Sequence, residues 1–413
     1  MSNSEYSNNW PVETSLYEHG RFIEGGLSHL EANMQLPPDG RLQFAYGLIA
    51  IGGLSSAVLA EGVPGAGKTR FGNLVAGSEV RVDIENTDTE DTLFGYPNPI
   101  NKAERIDGKF DLSGENPVVY ANEISHMGNT GPLHRLWDAD EVEVNGQMVP
   151  MANAAIYATS NFPNSQRVHK LDDAIRSRFA IEVLFGDASS DFARTLHGRD
   201  IGTTTNQGEL NTESILPNAK ARADLRKGVL EAYTLNQSEF GGYVTDVIEE
   251  INGRSDLFQP ISNTDKRLSD GWQQAVRAQL LVERAAPTII GAQEAAKVAS
   301  LVLPTVVTLS QSAKAELKSR LGVAKIDPLT EAITRRRLLA DLAFRVEDST
   351  RSFPVQDIQQ RRDNFRDKYS FASADGQTDK IDEFIERVMN KKLDEVTSDE
   401  SSTPRTRSFF RRR

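Results

Sequence analysis

Cysteine is absent from the 413 residues. Its absence excludes disulfides and thiolate metal sites and suits, without requiring, a reducing compartment. Metal-ligand spacing is also missing among the six histidines. There is no HExxH pair, and the nearest two, His126 and His134, are separated by Gly128, Gly131 and Pro132, so both read as structural. Basic charge is in deficit, with 47 Lys and Arg against 59 Asp and Glu and a net charge of −12. Nucleic-acid affinity rests on neutralising phosphates, so this deficit argues against a broad DNA- or RNA-binding surface and leaves only a local basic groove or pore. No basic segment followed by an apolar core opens the chain, so no signal peptide is expected. Long charge-free runs are lacking with one exception, the 19 residues from Leu42 to Ala60, near the length that spans a bilayer. That run contains Gln43, Gly47, Gly52, Gly53, Ser55 and Ser56 and leads straight into a glycine-rich loop. A buried helix, a turn and a buried strand fit it better than membrane insertion, and a cytoplasmic location is the expectation.

What is present is the composition of a globular protein, 38% hydrophobic and 26% charged. Residues 1–40 form an N-terminal segment closed by the turn signal Pro37-Pro38-Asp39-Gly40. From 41 to 185, buried-strand patterns at Ser56–Glu61, Val80–Ile84, Pro117–Ala121 and Ala154–Thr159 alternate with helical ones. Near-continuous apolar strands of this kind belong to a parallel sheet covered on both faces, which predicts an α/β core. Val142–Val149, with Asn145-Gly146 at its centre, alternates like a hairpin closed by a type I′ turn. Residues 187–217 are rich in Gly, Thr, Asn and Ser and read as a loop. Helical periodicity at Ala219–Tyr233, Asp270–Ala286 and Ala292–Val302 predicts a helical lid over 186–310. Charged, amphipathic patterns at 311–350 and 376–392 predict a helical C-terminal extension over 311–392, and 393–413 is a charged tail that ends in basic residues.

The sharpest motif is Gly62-Val63-Pro64-Gly65-Ala66-Gly67-Lys68-Thr69, between a predicted strand and a predicted helix that continues through Arg70. Glycines at 62, 65 and 67 let backbone N–H groups turn inward, and the following helix N-terminus adds positive potential. Lys68 suits the β- and γ-phosphates of a nucleotide and the Thr69 hydroxyl suits Mg²⁺, so a triphosphate is the expected ligand. A second strand ends in Asn122-Glu123, where a carboxylate pair is the usual arrangement. Glu123 can position or activate water. Asn122 stands in place of the acid that holds magnesium through water. Its amide oxygen accepts hydrogen bonds but carries no charge, which predicts weaker metal affinity and slow turnover.

These motifs, in this order, resemble the MoxR family of AAA+ ATPases from about Gly40 to Pro304. The family's EGVPGxGKT is matched by Glu61–Thr69, and its acid-rich segment before the insert in helix 2 by Asp88–Gly95. Its DEINR is similar to Asn122-Glu123-Ile124-Ser125-His126, with departures at the first, fourth and fifth positions. Its ATQNP is similar to Ala158-Thr159-Ser160-Asn161-Phe162, and its LPEAQLDRF to Leu171–Phe179. The resemblance implies Asn161 as the sensor 1 residue and Arg178 as the arginine finger given to a neighbouring subunit, with Arg176 as competitor. Ile261–Arg267 resembles the segment that leads into the sensor 2 helix, which would place Arg267, or next Lys266, on the γ-phosphate in cis. The resemblance also implies ATP with Mg²⁺, homo-oligomeric rings, hexamers in the family pattern, and remodelling of a client protein. A partner bearing a von Willebrand factor A domain often accompanies the family. Pore-facing elements are expected near Asn98–Leu112 and at the Val142–Val149 hairpin. Two other functions stay open: a nucleotide-gated scaffold that hardly hydrolyses, because of Asn122, and a nucleic-acid-directed NTPase, against which the acidic charge counts.

Overall fold

The structure, a computed structural model, describes residues 16–34, 47–52, 57–110, 118–127, 130–138, 141–150, 154–162, 171, 173–179, 181–186, 214–234, 241–261, 307–351 and 378–399. The predicted helices at Asp270–Ala286 and Ala292–Val302, Arg267 with Lys266, and the tail from 400 lie outside the described residues. No described helix is long and apolar enough to cross a membrane.

Five parallel strands form the central sheet: β1 (Ala57–Gly62), β2 (Arg81–Ile84), β5 (Val118–Ala121), β8 (Ala155–Asn161) and β9 (Ile181–Phe185), in the order β2-β5-β8-β1-β9. Four of them fall on the predicted patterns. Both faces are covered, as their apolar runs require. Val58 and Ala60 of β1 enter one core while Ala57 and Leu59 enter the other, the alternation of a strand. The first core is shared by α1 (Leu16–Asn33), whose Ile23, Leu27, Leu30 and Met34 line one helical stripe, and by α2 (Lys68–Val75). The fifth strand, β9, was not among the predicted patterns. Its Glu182 interrupts the apolar signal, yet the residue is fully buried.

Two insertions stand on the other core. The first runs from α3 (Glu90–Phe94) through the small ribbon β3 (Tyr96–Pro97) and β4 (Arg105–Ile106). The second follows α4 (Gly131–Asp138) and is the hairpin β6 (Glu141–Val144) and β7 (Gln147–Pro150). Its turn residues Asn145 and Gly146 have φ of 50° and 84°, the positive pair that a type I′ turn needs. The turn does not project freely, however. Asn145 N–H donates to Phe94 O at 2.7 Å, and its side-chain oxygen accepts from Gly108 N–H at 2.7 Å. Arg105 pairs with Glu143 at 3.2 Å. The two insertions therefore form one unit, whose most exposed large apolar side chain among the described residues is Ile100, 95% exposed.

The C-terminal helices are α6 (Ala219–Thr234), α7 (Gly241–Gly253), α8 (Gln311–Leu321), α9 (Pro328–Arg351) and α10 (Thr378–Asp399). Ser310 caps α8, accepting from Ala313 N–H at 3.0 Å, and its own N–H donates to Leu257 O at 2.8 Å. Segments on either side of position 310 are thus joined in one packed bundle. The expected amphipathic character of 311–350 is not what α9 shows: every residue from 332 to 343 is buried. Its charges are accommodated because they have partners. Arg335 and Arg336 reach Glu182, Arg337 reaches Asp382, and Arg345 donates to Met389 O at 2.6 Å.

Candidate functional site

The loop between β1 and α2 is shaped by glycine in two different ways. A Cβ on Gly62 would lie 2.0 Å from Phe185 O, so β9 approaches the start of the loop too closely for any side chain. Gly67 has φ 94°, and that left-handed residue turns the chain into α2. Gly65 also has φ 80°, while Val63, Ala66 and Arg70 are half-buried and Pro64 is exposed. Lys68 opens α2 and is buried, its carbonyl accepting from the Tyr157 hydroxyl at 2.6 Å. Its ammonium donates to Gly62 O at 3.2 Å, Val63 O at 2.7 Å and Asn161 Oδ1 at 2.8 Å. Burial pushes the Lys68 pKa down to about 8, against the opposing pull of Glu123 and Glu61.

Strand register brings the other residues to this loop. Gly62 lies opposite Asn161, and Ala121 opposite Ala158, so the ends of β1, β8 and β5 converge. Asn122 and Glu123 leave β5 exposed to solvent. The Asn122 side-chain oxygen accepts from the Thr69 hydroxyl at 3.3 Å and from the Thr159 hydroxyl at 2.9 Å. Thr159 in turn accepts from Glu123 N–H at 2.8 Å. Thr69 is exposed beside Asn122. The hydroxyl and the amide oxygen are hard donors of the kind Mg²⁺ accepts, so the residues present fit that ion. Lys68, Thr69, Asn122, Glu123 and Asn161 are thus gathered in one place.

The two arginines proposed for a neighbour's site differ sharply. Arg176, at the end of α5 (Asp173–Arg176), turns inward and bonds both carboxylate oxygens of Glu61 and, at 3.0 Å, Glu182. Arg178 lies over the Trp137 ring, 5.9 Å from its centroid, and donates to Ala174 O at 2.8 Å. Phe179 beside it is buried and meets the same ring edge-on. A guanidinium committed to two buried carboxylates is unsuited to reach a second subunit, so Arg176 falls away as competitor.

Sequence reasoning missed the buried charge cluster behind the loop. Glu182 accepts from Arg176, from Arg335 at 2.6 Å and from Arg336 at 3.1 Å, while its carbonyl accepts from Arg336 at 2.7 Å. Burial would raise the Glu182 pKa, but Arg335, Arg336 and Arg176 outweigh it and hold the carboxyl at about 2. The cluster ends at Glu61, next to Gly62, and so ties α9 to the strand that feeds the loop. Three consecutive arginines, Arg335-Arg336-Arg337, inside an apolar helical pattern were the available signal, since buried guanidinium groups demand carboxylates.

No sequence-family profile and no curated protein matches the chain. Among solved structures, a candidate ATPase from Cytophaga hutchinsonii is similar with a TM-score of 0.52 and 16% identity, covering 73% of this chain and 91% of that one. An MCM homolog from Methanopyrus kandleri has a TM-score of 0.40 at 15% identity over 73% and 64% of the two chains. NtrX from Brucella abortus in complex with ATP has 0.27 at 13% identity over 66% and 70%. The last two superpose too poorly to carry weight. The first likeness, at its level of identity, is one of fold, and it agrees with the strand order: the chain has a parallel, five-stranded α/β core with a glycine-rich loop between β1 and α2.

Proposed function

We propose that this chain binds ATP with Mg²⁺ in the loop Gly62–Thr69 and hydrolyses it within a homo-oligomeric ring, using the cycle to remodel or activate a partner protein. The single observation that carries the proposal is the Lys68 ammonium held at 2.7–3.2 Å by Gly62 O, Val63 O and Asn161 Oδ1 at the convergence of three strand ends. A buried cation with only neutral acceptors is suited to an anionic ligand. Magnesium, when bound, neutralises phosphate charge; Thr69 would hold it directly and Asn122 through water. Glu123 orients the attacking water, Asn161 fixes Lys68 and faces the same space, and Arg178 from the adjoining protomer stabilises charge on the transferred phosphoryl group. Arg267, or next Lys266, contacts the γ-phosphate in cis as the resemblance implies, and Arg335 and Arg336 tie the helical bundle to the strand that feeds the loop. Ring formation, the client and a von Willebrand factor A partner rest on the MoxR resemblance.

A specific observation favours a second reading. The Asn122 oxygen already takes two hydroxyl protons and carries no charge, which suits a nucleotide-gated scaffold with slow turnover. One experiment separates the two. Lys68→Ala and Arg178→Ala proteins are each expected to lose turnover, the latter by ~10³-fold. Mixing them restores activity, because a Lys68→Ala subunit still lends Arg178 to an intact neighbouring loop. Active wild type without recovery on mixing refutes the shared site, and wild type no faster than Lys68→Ala favours the scaffold.

A further inference from the structure

Glu123 has φ 52° and ψ 54°. A left-handed glutamate is strained, and such a conformation persists only where neighbours impose it. Two contacts do so. His126 N–H donates to Glu123 O at 2.8 Å, closing the short 3₁₀ turn Ile124–His126. The other contact is Thr159, which is 1% exposed on β8. Its hydroxyl accepts from Glu123 N–H at 2.8 Å and donates to Asn122 Oδ1 at 2.9 Å. One oxygen therefore fixes the backbone of the water-orienting residue and the amide of the metal-side residue. The register of β8 on β5 places it directly beside their turn.

Resting on the hydrolysis reading, we propose that Thr159 is a positioning residue: its hydroxyl sets the direction of the Glu123 carboxylate and holds the Asn122 oxygen toward Thr69. Thr159 itself touches neither phosphate nor water in this scheme. Thr69 and Thr159 donate to the same oxygen, so loss of the Thr159 hydroxyl leaves Asn122 held there by the longer bond from Thr69. A filler residue would need only the shape of threonine, and valine supplies that shape without the hydroxyl. The hydroxyl and the methyl make opposite predictions, and substitutions separate them.

The test compares T159V and T159S in the full-length chain, with Lys68→Ala as the inactive control. It measures turnover of Mg·ATP, the dissociation constant for ATP and the melting temperature. T159V is expected to lose turnover by on the order of 100-fold while ATP affinity stays within ~3-fold, because the loop and Lys68 are untouched. T159S keeps the hydroxyl and is expected to turn over within ~3-fold of the parent. If T159V does not fold, T159A removes the same hydroxyl with less bulk and is read in the same way. Turnover by the folded hydroxyl-free variant at the parent rate overturns the inference, as does a T159S defect equal to it or a loss confined to ATP affinity. A parent rate no higher than that of Lys68→Ala refutes the hydrolysis reading itself, and this inference with it. An active parent with an unaffected T159V refutes the inference alone.

Discussion

The Lys68 ammonium meets three neutral oxygens, and burial draws its pKa to about 8. A bound triphosphate would restore the charged form toward the ordinary lysine value near 10.5. Below pH 8 the group is protonated with or without ligand, so its titration does not affect affinity there. Above pH 8, binding must take up a proton, and affinity is expected to fall by up to about tenfold per pH unit until the bound-state pKa is reached. Calorimetry at pH 9 in buffers of different ionisation enthalpy measures that uptake. Affinity that is flat between pH 7.5 and 9.5 would contradict it. The loop was legible because its glycines, Lys68 and Thr69 stand in consecutive positions. Thr159 and Glu61 were not, because each acquires its role from a neighbour brought in by strand register or by a distant helix.

Strand β9 and helix α9 explain one another. Glu182 breaks the apolar run of β9, and Arg335 and Arg336 break that of α9, yet each is buried because it meets the other across about 150 positions of sequence. Sequence periodicity records a charge as polar and cannot supply a partner so far away. For that reason the strand went unpredicted and the helix was read as amphipathic. Removing the central carboxylate takes from Arg176, Arg335 and Arg336 the charged group that they share. Glu182→Gln is therefore expected to destabilise the fold by about 3–5 kcal/mol, read as a lowered urea midpoint with unchanged slope. Glu143→Gln breaks a half-exposed pair with Arg105 and should shift stability by less than ~1 kcal/mol. Equal midpoints for the two variants would refute the assignment. With the Glu182 pKa at about 2, the contribution is complete above the unfolded value near 4.5 and is lost as pH falls toward 2. The β6–β7 hairpin is the converse case. Its Asn145-Gly146 turn was legible from the dipeptide, whereas its docking onto Phe94 and Gly108 was not.

For the whole molecule, the order of parts along the chain was readable: a P-loop α/β core followed by helices, matched by the sheet order β2-β5-β8-β1-β9. How the helices close on the core was not, since that closure runs through the Glu61–Arg176–Glu182–Arg335–Arg336 cluster rather than through an apolar seam alone. Such a connection ties the helical bundle to the strand that enters the Gly62–Thr69 loop. The function proposed for the whole chain depends first on whether that loop grips a nucleotide. Calorimetric titration of Mg·ATP into the full-length chain at pH 7, beside Lys68→Ala, measures this directly. Saturable heat from the parent below about 1 mM ligand, absent in Lys68→Ala, is the predicted result. No heat from the parent, or equal heat from both proteins, would contradict it.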